Sequence, residues 1–233
     1  LKETDLRIVA VVPAYNEEER IGAVLKVLRQ STLLNDIVVV NDGSTDDTYN
    51  VALSESGVTV ITLPRNMGKG AALVAGVRYA EADIVAFFDA DLIGLTPHLV
   101  DALIEPVADG RADMTIGIFK GGRRRTDWAQ TLAPFISGQR VIRSEHVLSI
   151  PGLEQARFGA EIAFARYAKA KGLKTELIPL PGMTHPMKEE KLGNFHGAIS
   201  RAKMYWEIVK FLISSSKSAS RIRRVLGRVE DRW

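Results

Sequence analysis

"DIVAFFDADLIG", residues 83–94, decides how this chain is read. Ile84 to Phe88 form a short apolar run of the kind that makes a fully buried strand. Two carboxylates, Asp89 and Asp91, then stand one residue apart at its end. Like charges at a buried strand end repel and lose hydration, so the pair is costly unless something neutralises it. A divalent cation does so, and oxygen ligands in a chain without cysteine suit Mg2+ or Mn2+. Magnesium commonly takes one or two carboxylates together with substrate phosphates, so the pair reads as half a site for a nucleotide diphosphate. The structural alternative is an acid pair capping the helix that Thr96-Pro97 begins.

Outward from this stretch the pattern repeats. "RIVAVVPAYN" predicts a buried strand from Arg7 to Val12, stopped by Pro13. Residues 17–30 follow at helical period, with Ile21, Val24, Leu25 and Leu28 on one face and acids in the first turn. "DIVVVNDG" predicts a second strand, and "STDDTYNVALSES" a helix opened by hydroxyl and acidic caps. "VTVITL", "GKGAALVAGVRYAEA" and the opening stretch give strand, helix, strand; a helix from about Thr96 to Val107 leads to the strand "ADMTIGIF". Beyond it, "TDWAQTLAPFIS" and "GAEIAFARYAKAKG" read as helices and "KTELIPL" as a strand. Apolar β-branched runs alternating with amphipathic helices predict an α/β fold, a mainly parallel sheet with helices on both faces. No internal repeat interrupts it, and one domain over 1–213 with a basic helical tail over 214–233 is expected.

Composition narrows the function classes. The chain has 233 residues, 46% hydrophobic and 25% charged, as an ordinary globular protein does. The absence of cysteine excludes disulfides, zinc–thiolate sites and thiol catalysis. A net charge of +3 is too small to suggest nucleic-acid binding. It is also unevenly spread: residues 201–233 hold nine Lys/Arg against three Asp/Glu. No signal-peptide pattern is present, and no apolar run approaches the ~18–20 residues that span a bilayer. A cytoplasmic protein is expected, at most peripheral at the inner face of the membrane.

In open α/β sheets ligands bind beyond the carboxyl ends of the strands. Three polar clusters fall there: "PAYNEE", "NDGSTDD" and "DADLIG". Any one alone reads as a capping loop; three on one edge read as a site. "DGSTDD" lacks the glycine and glutamate of a calcium loop, and "NMGKGAA" lacks the first glycine and the Ser/Thr of a P-loop. No G-x-G-x-x-G follows the first strand. Lys69 opens a helix, where backbone N–H groups and the helix dipole favour phosphate; an exposed turn lysine is the bland reading. Glu161 also opens a helix, which by itself accounts for an acid there. His185, between Thr184 and Pro186, suits metal or phosphate contact, whereas His98, His146 and His196 read as surface or structural.

"VVPAYNEEERIGAVL", "IVVVNDGSTDDT", "NMGKGAAL" and "DIVAFFDADL", in that order, resemble glycosyltransferase family 2 and its GT-A, Rossmann-like fold. "FISGQRVIRSE", "RFGAEIAFARYAKAKGLKTELIPL" and "MTHPMKEE" resemble the later half of that fold more loosely. Within the family the pattern is similar to polyprenyl-phosphate sugar transferases and glucosyl-3-phosphoglycerate synthase-like enzymes. The resemblance implies metal-dependent transfer of a sugar from a nucleotide diphosphate donor, a UDP- or GDP-sugar, to an acceptor hydroxyl or phosphate, lipid-linked or small. It places Pro13, Ala14, Tyr15 and Glu17 in the nucleoside pocket and Asp42 on the base or ribose. Lys69 and Ala90 fall beside the nucleotide, Asp89 and Asp91 in the metal-binding D-x-D, and His185 as a further metal ligand. Gly138 would face the donor sugar and Glu161 the acceptor, as base if the reaction inverts and as orienting group if it retains. Arg123, Arg124 and Arg125, in "KGGRRRTDW", are either a solvated charge run or an acceptor clamp. The tail, with Arg221, Arg223, Arg224 and Arg228, either packs as a helix or rests on anionic lipid. A homodimer is compatible with this reading. A sugar-1-phosphate nucleotidyltransferase is the rival enzyme, but "VPAYNEEER" stands where it would carry a glycine-rich loop. A non-catalytic nucleotide-sugar binding protein is the other rival, and the retained D-x-D speaks against it.

Overall fold

The structure, a computed structural model, describes residues 6–120, 137–157 and 159–184. Arg123, Arg124, Arg125, His185, most of the helix expected over 126–137 and the tail over 214–233 lie outside the described residues. In chain order the elements are β1 Ile8–Ala14, α1 Ile21–Leu28, β2 Asp36–Asn41, α2 Thr48–Ser54, β3 Val58–Thr62, α3 Lys69–Ala80 and β4 Ile84–Phe87. There follow α4 Pro97–Ala108, β5 Met114–Lys120, β6 Arg140–Arg143, α5 Ser144–Leu148, α6 Ala160–Lys171 and β7 Thr175–Pro181. They make one sheet in the order β3-β2-β1-β4-β6-β5-β7.

Strand alternation divides the apolar residues between two cores. Ile8, Ala10, Val12 and Ala14 of β1 face α1 and α4, packing with Leu25, Leu28, Leu99 and Leu103. Val9 and Val11, with Val38 and Val40 of β2, face α3 and α6, packing with Leu73, Val77 and Phe164. A strand buried on both faces needs apolar residues throughout, which is why these runs carry no polar alternation. Gly76 lets α3 lie close to the sheet: a side chain there would run into Val11 and stand 3.0 Å from Val40 Cγ2.

Three expectations are corrected. Pro13 does not stop β1, which pairs with β2 as far as Ala14↔Asn41. The even-numbered residues bond toward β2, as when the Asp42 N–H donates to the Ala14 carbonyl at 2.8 Å. Pro13 faces the other way, where pairing with β4 has already ended at Val11↔Phe87, so its missing N–H leaves no ladder bond unmade. The first helix begins at Ile21, not residue 17, and has no acid in its first turn; Glu17 to Arg20 form the turn that leads into it. Finally, β6 was not expected, and it runs antiparallel to both neighbours, β4 and β5.

That last strand matters for position. Phe87, the end of β4, pairs with Arg140, the start of β6. An antiparallel strand beginning where β4 stops delivers residues 137–139 to the sheet edge that carries Asp89. No helix among the described residues is long and apolar enough to cross a membrane.

Candidate active site

From β1 the chain builds outward to β2 and β3, then returns to place β4 on the other side of β1. This reversal opens a crevice at the carboxyl ends of the strands, where open α/β sheets bind ligands. The loops after β1 and β2 are tied together there. Asn16, at φ +56°, accepts from the Thr45 N–H at 2.9 Å and donates its own N–H to Ser44 Oγ at 3.0 Å. The Glu17 N–H donates to Thr48 Oγ1 at 2.8 Å, and the Asp47 N–H to Glu18 Oε2 at 2.7 Å. Burial tends to raise the Asp46 carboxyl, but its bonds from Thr48 and the Glu18 N–H outweigh this and hold it below its ordinary value. Ala14 is buried, Pro13 and Glu17 are half-buried, and Tyr15 is exposed at the crevice rim.

Asp42, placed on the nucleoside by resemblance, is 4% exposed, and both its oxygens hold the loop before α3. Oδ1 accepts from the Met67 N–H at 2.7 Å and Oδ2 from the Gly68 N–H at 2.9 Å. The neighbouring Gly43, at φ +68°, packs on the backbone of Arg65 and Asn66 too closely for any side chain. Asp42→Ala is therefore expected to lower unfolding free energy by about 2 kcal/mol, because two N–H groups lose a charged acceptor. Urea denaturation measures it, and an unchanged stability would leave Asp42 only its nucleoside role.

Lys69 follows directly and opens α3. Its Nζ stands 2.7 Å from Asp89 Oδ1 and 2.8 Å from Glu161 Oε1. The three side chains are only 16–26% exposed, so each depends on the others for compensation. Burial alone would pull the Lys69 ammonium down, but the charges of Asp89 and Glu161 win and hold it above its ordinary 10.5. Gln139 Nε2 donates to Asp89 Oδ2 at 2.9 Å. Arg140, 2% exposed, lies with its Cζ 4.5 Å from the centre of the Phe164 ring. Burial outweighs the opposing pull of Glu161 and Asp89 and leaves its guanidinium lowered to about 10. Lys69, Gly138, Arg140, Glu161 and Phe164 thus line one small cleft.

Gly138, assigned to the donor sugar by resemblance, is buried against this ion pair. A Cβ there would overlap the Asp89 carboxylate and stand 2.7 Å from Lys69 Nζ. Gly138→Ala is expected to separate Asp89 from Lys69 and to cost about 1–3 kcal/mol, the usual penalty of overpacking. Urea denaturation beside a crystal structure of the variant checks both.

Ala90 is buried and Asp91 half-buried beyond Asp89. The acid pair does not cap the next helix: Thr96 does, its Oγ1 accepting from the Leu99 N–H at 3.4 Å. Lys69 already offsets part of the Asp89 charge, which the charge-repulsion argument did not anticipate. Among the described residues no group of three or more His, Asp or Glu is placed to hold a metal. Two carboxylates at a crevice still fit Mg2+ or Mn2+, since these ions retain water and substrate oxygens. Ile93 and Thr184 exchange both backbone hydrogen bonds at 3.0 Å, which brings the chain beside the D-x-D loop one residue before His185.

Two residues of the site were missed in the sequence, Gln139 and Arg140. Val141 and Ile142, bounded by Ser-Gly and Ser, were the signal for a short strand there. His98 is exposed on α4, and His146 lies beside Tyr167, the two rings tilted at 57° with centres 6.0 Å apart.

The sequence model of the family described as Glycosyl transferase family 2 matches residues 9–173. A bactoprenol glucosyl transferase of Shigella phage SfV is 35% identical over 151 residues, covering 58% of this chain and 48% of that protein. A 4,4'-diaponeurosporenoate glycosyltransferase of Staphylococcus aureus is 41% identical over 99 residues, 40% of this chain and 26% of that protein. The chain therefore spans about half the length of the first relative and about a quarter of the second. Among solved structures, glucosyl-3-phosphoglycerate synthase from Mycobacterium tuberculosis, in complex with Mn2+ and UDP-glucose, superposes with a TM-score of 0.68. That match is 28% identical and covers 90% of this chain and 78% of the other. The same enzyme in complex with Mg2+ and UDP matches with a TM-score of 0.66 at 27% identity.

Proposed function

This chain belongs to glycosyltransferase family 2, with the GT-A fold, and on that premise we propose that it transfers glucose from UDP-glucose to a phosphorylated acceptor with the help of Mg2+ or Mn2+. The observation that carries the reading is the Lys69–Asp89–Glu161 cluster at the crevice, with Asp91 beside it. UDP is preferred to GDP because the solved relative binds UDP-glucose and UDP. The acceptor follows two relatives, one named for bactoprenol and one bound to phosphoglyceric acid.

On this reading Pro13, Ala14, Tyr15 and Glu17 receive the nucleoside, and Asp42 sets the loop that brings Lys69 to the diphosphate. The N-terminus of α3 adds its dipole to the lysine's charge. Asp91, with Asp89 toward the ribose and His185 next along the chain from Thr184, would hold the metal. When bound, that ion supplies charge neutralisation of the diphosphate leaving group. Glu161 has Oε1 committed to Lys69 and orients the acceptor through its other oxygen. Glu161→Gln is expected to lower kcat about tenfold to a hundredfold with donor affinity changed little, because it acts on the acceptor side. Initial rates beside UDP calorimetry check it; normal turnover would return Glu161 to a helix-opening acid.

A thermal-shift panel of UDP-, GDP- and dTDP-sugars with Mn2+ tests the donor, because a ligand that binds only the native state raises the melting temperature. Transfer assays with polyprenyl phosphate and with 3-phosphoglycerate then separate the lipid-linked acceptor from the small one. No shift with any nucleotide sugar would overturn the proposal.

A further inference from the structure

Gln139 has no part in the roles above, yet every polar atom of it is engaged. It is fully buried, immediately before β6. Its Nε2 donates to Asp89 Oδ2 at 2.9 Å, and its Oε1 accepts from Ser137 Oγ at 2.9 Å. Its backbone N–H donates to the same Ser137 Oγ at 3.3 Å, and its backbone carbonyl accepts from the Gly117 N–H at 2.9 Å. A buried amide is costly unless both its ends are satisfied, so volume alone does not account for glutamine here.

The arrangement is directional. A glutamine amide turned over would present its carbonyl oxygen to the Asp89 carboxylate, acceptor against acceptor. The Ser137 hydroxyl favours the observed orientation, because it donates to Oε1 and a turned amide would forfeit that bond. Gly138, between them, has no side chain to hold the segment away from Asp89. Asp89 is consequently gripped from two sides, by Lys69 on Oδ1 and by Gln139 on Oδ2.

We propose that Gln139 is a positioning residue: its amide, set by Ser137, fixes the plane of the Asp89 carboxylate and so the donor end of the site. What Asp89 meets in turn rests on the function proposed above. The fixing itself does not, because it consists of hydrogen bonds within the chain.

Four substitutions in the full chain test this, read by calorimetry of UDP with Mn2+ and by ligand-free crystal structures. Gln139→Met keeps the volume and removes the amide. Gln139→Glu sets a carboxylate against Asp89. Ser137→Ala leaves Gln139 in place and releases its amide to turn, while Ser137→Thr keeps the hydroxyl. UDP with Mn2+ is expected to bind roughly tenfold more weakly to both Gln139 variants and about threefold more weakly to Ser137→Ala, because a hydrogen bond to a charged group is lost or loosened. Ser137→Thr should bind as the wild type does. In the ligand-free structures Asp89 should leave its contact with Lys69 in the Gln139 variants and keep it in Ser137→Thr. A lowered melting temperature with Asp89 still on Lys69 and UDP affinity unchanged would make Gln139 a packing residue only and overturn the proposal. If the Gln139 variants do not fold, the Ser137 pair decides by the same two readings, with equal behaviour of Ala and Thr overturning it. A wild type that does not bind UDP with Mn2+ counts against the donor assignment, and the orientation of Asp89 then decides the role of Gln139 by itself.

Discussion

Asp91→Asn is expected to abolish transfer while leaving the fold in place. The residue is half-buried at the crevice, four positions beyond β4, and is placed by the D-x-D spacing. Asparagine keeps its size and one oxygen but removes the charge that a hard cation requires of its ligand. Turnover should fall on the order of a hundredfold or more, since charge neutralisation at a leaving group is among the larger contributions to such catalysis. Binding discriminates further. Mn2+ should strengthen UDP binding to the wild type and should not do so for the variant, whereas UDP without metal should bind both alike. EDTA treatment of the wild type should reproduce the loss of turnover. Full activity of the variant, or of the wild type in EDTA, would remove the metal from the mechanism.

The charge argument that singled out Asp89 and Asp91 found the right place and an incomplete chemistry. It held that two carboxylates at a buried strand end must have a compensating cation. For Asp89 that cation is Lys69, which the sequence places 20 residues earlier and the fold brings to 2.7 Å. The link to Glu161 spans 92 positions and has no local signature. Strands β1, β2 and β4 were legible because burial on both faces demands uninterrupted apolar residues. Strand β6 was not, because it has an arginine at each end and only Val141 and Ile142 between them. Its buried Arg140 is tolerated where no periodicity rule would put it, since the guanidinium lies over Phe164 and faces the carboxylates of Glu161 and Asp89. Pro13 shows a related limit. Sequence says that proline cannot donate, but only the sheet order says on which side a donor is needed.

Lys69→Met should be the most destabilising single change in the crevice. Methionine keeps the length and much of the volume of lysine, so the change isolates the charge. It leaves Asp89 and Glu161 mostly buried, with Arg140 as the cation facing both. Breaking a buried pair by removing one partner costs roughly 3–5 kcal/mol, and the residual exposure of these groups favours the lower end. The sign with pH follows from the direction of the Lys69 shift. The fold raises this ammonium above 10.5, so its contribution is fully present below that pH and is lost only as pH rises through the raised value. Wild-type stability should thus show no loss from this group between about pH 6 and 9. The variant should lie below the wild type throughout this range, since both carboxylates have lost their ammonium. Urea denaturation of both proteins at acid, neutral and mildly alkaline pH measures the gap. UDP binding should be lost in the variant across the range, because the diphosphate loses the lysine. A variant as stable as the wild type at neutral pH would mean that Arg140 suffices for both acids, and Lys69 would then be held at α3 for the diphosphate alone.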